Sequence, residues 1–210
     1  MTSPFYVVAF TDRSLRFRLG GRHYTSFRIG NFHALGERRR SRPAAVESEL
    51  RHQHRVVVRA RNLCEGVLPA RFGSLVDRPS LQSLVRGREH HIEDALARVR
   101  GRLQMTVRVV RDEPPAPRPP ASSGREYLAQ KREAASPPVS NDVARLLKSL
   151  SRYVALEQRA PGAGSLLVTI HHLVEDDDVA EYLETASRRP CRGVIVSGPS
   201  PAFAFVPSLI

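Results

Sequence analysis

Between Asp112 and Gly124 the chain carries Pro114, Pro115, Pro117, Pro119 and Pro120, followed by Ser122-Ser123-Gly124. Proline fixes φ and removes the backbone donor, so this run reads as a semi-rigid extended linker that cannot sit inside a packed core. The fold is therefore expected to divide there. Residues 1–112 form an N-terminal α+β domain, 113–124 the Pro-rich linker, and 125–210 a C-terminal α+β domain. A chain of 210 residues has room for two such domains of about 100 residues each.

In the first part, Phe5 to Phe10 is a β-branched and aromatic run that reads as a strand. Leu15, Phe17 and Leu19 alternate with arginines as a half-buried strand does, and Gly20-Gly21 marks a turn. Tyr24 to Leu35 reads as one further extended segment. From Pro43 the period becomes helical, with Val46, Leu50, Val57, Ala60 and Cys64 on one face and Arg51, Arg55 and Arg59 on the other. A solvated face is the ordinary reading of that arginine stripe. A second helix is expected from about Pro79 to Arg100, burying Leu81, Leu84, Val85, Ile92, Ala95, Leu96 and Val99, with Arg88 inside the stripe and Gly101 as its C-cap. Leu103, Met105, Val107 and Val109 then alternate as a strand.

Beyond the linker, a short charged helix is expected from Arg125 to Ala134. Ser140 or Asn141 caps a helix whose face runs from Val143 to Val154. A strand covers Leu166 to Leu173, a helix Val179 to Ser187, and two strands, Gly193 to Ser197 and about Ala202 to Val206, close the chain. The acidic run Glu175 to Asp178 precedes a helix, where carboxylates cap free amides and complement the dipole, so it is not read as a metal site.

Chemistry is sparse. No phosphate-cradling glycine loop, nucleophile elbow, paired Cys-x-x-Cys or His-Glu-x-x-His occurs. The doublets His90-His91 and His171-His172 point their rings apart on a helix or strand, so neither chelates alone, and His54 reads as a packed histidine. Cys64 and Cys191 read as reduced small hydrophobes. No window reaches the ~18 uncharged apolar residues of a spanning helix, and no secretory signal is visible, so a cytoplasmic chain is expected. A net charge of +12 and a pI near 11.0, carried by arginine with Lys131 and Lys148 the only lysines, raise the question of an anionic partner. The alternate exposed aromatics of a base-stacking sheet are missing, which sets a nucleic-acid-binding module behind a protein-binding one.

One stretch is unexplained by composition: Glu65-Gly66-Val67-Leu68-Pro69-Ala70-Arg71-Phe72-Gly73, extended and bracketed by turn residues between two helices. Preceded by His54-Arg-Val-Val57, it resembles the central signature of the gas vesicle GvpL/GvpF family. Val99-Arg-Gly-Arg-Leu103, Gly124-Arg-Glu-Tyr-Leu128, Leu173-Val-Glu-Asp176 and Ser197-Gly-Pro-Ser-Pro-Ala-Phe-Ala-Phe205 resemble further family segments in the right order. The similarity is strong from about 50 to 128 and from 166 to 206, and weak over the first 45 residues. Ser200, Phe203 and Ala204 stand where the pattern has tryptophan, tyrosine and serine.

The resemblance implies an α+β protein of two ferredoxin-like domains, with mixed antiparallel sheets and helices packed on one face. It implies no cofactor and no catalysis, and the residues themselves suggest no metal site. It also implies an accessory role in gas vesicle formation, through contact with the small hydrophobic shell protein and other vesicle accessory proteins, in the cytoplasm at the vesicle. Nucleic acid and membrane are not expected partners, although a basic nucleic-acid-binding module with ferredoxin-like domains is the rival reading. Phe72, Phe203 and Phe205 are the candidate contact residues, with Arg71 pairing a carboxylate; packing of the domain core is the commoner role for such residues.

Overall fold

A computed structural model describes residues 4–111, 123–126, 128 and 139–207. The linker expected at 113–124 and the charged helix from Arg125 to Ala134 lie largely outside the described residues. Internal contacts divide the chain into two compact units, Met1–Arg102 with Ser200–Ile210, and Leu103–Pro199.

The first unit contains β1 (Phe5–Thr11), β2 (Arg16–Leu19), β3 (Arg22–Ile29), β4 (Phe32–Arg38), α1 (Glu47–Arg61), β5 (Val67–Pro69), β6 (Leu75–Val76), α2 (Arg78–Val85) and α3 (Glu89–Val99). Its sheet has the order β2-β3-β4-β1-β5, with β6 also pairing β1. Every residue of β1 is buried, which is why its sequence is a continuous apolar run rather than an alternation. A bulge between Val7 and Ala9 shifts the pairing with β4. Tyr6, Val8 and Ala9 pack with Val56, Val57 and Ala60 of α1 in one core cluster.

Gly20 and Gly21, at φ 57° and 76°, make the two-residue turn that joins β2 to β3. The extended segment expected over Tyr24 to Leu35 is in fact two strands, turned at Gly30-Asn31, with Ile29 paired to Phe32. The helix expected from Pro79 to Arg100 is likewise two. Gly87, at φ 74°, breaks it, so Arg88 lies exposed at the start of α3 and Leu84 is 65% exposed. Asp77 starts α2 by accepting a bond from the Ser80 amide at 2.8 Å.

The second unit contains β7 (Arg102–Val110), α4 (Asn141–Leu150), β8 (Val154–Pro161), β9 (Leu166–Glu175), α5 (Val179–Ser187) and β10 (Val194–Ser200), with sheet order β10-β7-β9-β8. Thus β7, assigned to the N-terminal domain from sequence, hydrogen-bonds within this sheet. Met105, Val107, Val109, Leu146, Leu150, Ile170 and Tyr182 form the core. Ser140 caps α4 through the Val143 amide, as its sequence suggests. The helix stops at Leu150, however, and Val154 begins β8, an edge strand absent from the sequence reading. Asp176–Asp178 form a single 3-10 turn before α5, and Asp178 makes no side-chain cap bond. The last strand expected, Ala202 to Val206, is instead a 3-10 turn at Phe203–Phe205.

Candidate partner-binding surface

The α1 helix buries only part of the face its apolar residues suggest. His52 and Gln53 are buried, while Val46 and Leu50 are 49% and 46% exposed. The reason lies in the sheet, which offers tyrosine hydroxyls. Tyr24 OH lies 2.8 Å from His52 Nε2, and Tyr6 OH donates to Gln53 Oε1. With both polar side chains satisfied inside, Val46, Leu50 and His54 turn outward at i, i+4 and i+8. Arg51, Arg55 and Arg59 are exposed, as expected.

The stretch after α1 is fixed by the same two residues. β5 pairs antiparallel with β1, Ala9 opposite Pro69, and the Ala70 amide donates to Val8 O at 2.9 Å. Gln53 Nε2 donates to Ala70 O at 2.9 Å, and the Gly73 amide donates to Tyr6 OH at 3.3 Å. Burial raises the Tyr6 pKa, which keeps the hydroxyl a donor. Gly73 takes φ 87°, a left-handed geometry that favours glycine. Phe72 consequently packs edge-on against Tyr6, centroids 6.3 Å apart, and Arg71 points to solvent. Among the described residues Arg71 forms no ion pair.

Phe203 meets this surface from the far end of the chain, stacking on His54 and remaining 39% exposed. Leu50, Gln53 and His54, the run Pro69 to Phe72, and Phe203 with Val206 enclose a groove of about 320 Å³. Three of the four candidate contact residues, Arg71, Phe72 and Phe203, therefore converge. Phe205 is partly buried and does not line the groove. Sequence reasoning missed Leu50 and His54 as lining residues, because nothing local announces that His52 and Gln53 take the buried face.

Other polar groups are structural. Arg22 and Arg39 hold Glu49 at 3.0 and 3.1 Å, and the Arg22 hydrogen bond above all pulls its pKa down to about 2. His171 and His172 face opposite ways on β9. The first lies near Thr106, while the second is buried 2.8 Å from Tyr182 OH, its pKa lowered chiefly by burial. Cys64 is buried and its thiol pushed up to about 12, which leaves it unreactive. Among the described residues no three His, Cys, Asp or Glu side chains are grouped to hold a metal. Nor is any helix there long and apolar enough to cross a membrane.

A family profile described as gas vesicle synthesis protein GvpL/GvpF matches residues 28–207. The chain belongs to the GvpL/GvpF family. Among solved structures it is similar to the gas vesicle protein GvpF of Microcystis aeruginosa, with TM-score 0.73 and 12% identity over 97% of this chain and 99% of that one. It is also similar to GvpF of an Anabaena species, with TM-score 0.69 and 13% identity over 98% and 99% of the two chains. At such identities the likeness shows a common mixed α+β fold. No curated protein matches the chain. Membership of the GvpL/GvpF family supports a role in gas vesicle formation.

Proposed function

We propose that this GvpL/GvpF member is a non-enzymatic accessory protein that binds the small hydrophobic shell protein and assists wall assembly or nucleation. The observation that carries the reading is the groove, where Leu50, Phe72, Phe203 and Val206 offer an apolar floor beside Arg71. A shell that keeps its interior dry has a strongly apolar face, which is an aggregation hazard in water until the wall is built. A surface cleft with half-exposed aromatic and aliphatic side chains suits temporary cover of such a face. Of the four candidates, Arg71, Phe72 and Phe203 make the contact in this reading, while Phe205, which does not line the groove, is part of the turn that carries Phe203. The reading places the protein in the cytoplasm at the vesicle, among other vesicle accessory proteins, without cofactor, metal or nucleic acid.

The domain reading accompanies it. Each unit is taken as ferredoxin-like, supported in the second by the succession β7-α4-β8-β9-α5-β10 and its sheet order; the Pro-rich stretch then falls in sequence between β7 and α4 of that unit and not at the boundary between the two.

Co-purification of the tagged chain with the shell protein, after nuclease treatment and in high salt, tests the function. The complex is expected to survive both and to be lost in Phe203→Asp. Retention that instead follows added RNA and fades steeply with salt would replace this reading by the nucleic-acid one.

A further inference from the structure

We propose that the groove receives an amphipathic helix of the shell protein, apolar stripe inward, with a carboxylate on the flank of that stripe pairing with Arg71. The inference rests on the shell-protein reading and adds to it the form and charge of the bound segment.

The form follows from what the groove offers. A partner strand would need a backbone edge, and the edge here is β5. It is three residues long and ends in Pro69, which has no amide to donate. Side chains, by contrast, are presented in abundance. On α1 the outward pair Leu50 and His54 spans one turn, about 6 Å of helix, with Val46 exposed at the N-cap just before it. Phe72 and Phe203 extend the apolar surface beside it. This is the arrangement that accepts helical anchors at i, i+3 or i+4 and i+7.

The charge follows from an asymmetry. Of the residues lining the groove, Arg71 carries a full charge and none carries a carboxylate. The neighbouring acids on α1 are already engaged: Glu47 pairs with Arg51, and Glu49 with Arg22 and Arg39. Arg71 is held by a fixed backbone, since Ser74 N and Oγ both donate to its carbonyl, while its guanidinium stays in solvent. A segment entering with a cation beside its apolar stripe meets repulsion there; one entering with a carboxylate meets a preplaced partner.

The test uses two synthetic helical peptides of about 16 residues, identical in their leucine stripe, one flanked by glutamates and one by lysines. Their binding to the full chain is read by fluorescence anisotropy. The wild type should bind the glutamate peptide about tenfold more tightly than the lysine peptide. Arg71→Glu should invert that preference and Arg71→Lys should keep it. Circular dichroism melts confirm folding, with Arg71→Gln as substitute for any variant that melts early. Equal affinities, no binding of either peptide, or a preference unmoved by Arg71→Glu overturns the inference. Co-purification of the shell protein is scored on the same variants. If it is lost in Phe203→Asp while the peptides show no preference, the shell-protein reading stands and the acidic helix falls. If the wild type itself fails to retain the shell protein, both fall.

Discussion

His54 and Phe203 stack face to face, ring centroids 5.4 Å apart and planes 16° from parallel. One comes from the middle of α1, the other from the C-terminal 3-10 turn, so the groove is complete only when that turn lies against α1. Phe203 is nevertheless 39% exposed, so it contributes less to stability than a core aromatic. Phe203→Ala should cost about 1 kcal/mol in urea unfolding while sharply reducing retention of the shell protein. A loss of several kcal/mol would instead make Phe203 a core residue and remove it from the contact surface.

Tyr6 holds the other wall. Its hydroxyl donates to Gln53 and accepts from the Gly73 amide, and it is buried. Tyr6→Phe keeps the ring against Phe72 but leaves the buried Gln53 Oε1 and the half-buried Gly73 amide without their partner. The expected cost is about 1–3 kcal/mol, read as a lowered urea midpoint with unchanged slope. A neutral substitution would mean that Gln53 and Gly73 find other partners.

These tyrosine bonds also show where the sequence could be read and where it could not. β1, β7, β9 and the capped start of α4 follow from local pattern, because burial and capping there agree with composition. The outward turn of Leu50 does not, since it depends on Tyr6 and Tyr24 receiving Gln53 and His52 from strands distant in sequence. β8 fails for a different reason. Ala155 to Ala160 is exposed almost throughout, so no alternation is imposed on it, and its Ala, Leu, Glu, Gln and Arg favour a helix locally. The Gly30-Asn31 turn was legible as a hairpin signal, but the apolar residues on either side merge into one run. At the candidate surface, Phe72 and Phe203 carried aromatic character that local sequence could flag. Their meeting is long-range.

The Glu49 cluster gives a pH signature. Arg22, then Arg39, lowers the Glu49 carboxyl from 4.5 to about 2 in the folded chain. A depressed carboxylate contributes stability above its unfolded pKa and loses it as pH falls through the folded one. Glu49→Gln should therefore destabilise by about 1–2 kcal/mol at neutral pH. The gap between wild type and variant should close as pH drops from about 4.5 to about 2. Glu37 runs the other way, because burial raises its pKa, and it is present in both proteins. A gap that stays constant across that window would assign Glu49 a packing role only.

Two glycines separate steric from conformational constraint. Gly36 lies opposite Val7 beside the β1 bulge, and a Cβ there would sit 2.0 Å from Tyr6 O and 2.7 Å from Phe5 Cε1. The first obstacle is backbone in a central strand, which cannot move without breaking the pairing that places Tyr6. Gly73 has open space for a Cβ, and only its φ of 87° resists an alanine. Gly73→Ala should thus cost about 1–2 kcal/mol, and Gly36→Ala more than about 3 kcal/mol. The latter is a large share of the roughly 5–15 kcal/mol that holds a domain folded. Soluble yield and urea midpoints of the two variants check the order. Alanine keeps the amide but pulls φ away from 87°, and that shift moves the Phe72 wall the amide anchors, so the variant should retain less shell protein than its small loss of stability alone accounts for. Equal yields for the two variants would mean that the β1 bulge relaxes to admit a side chain at Gly36.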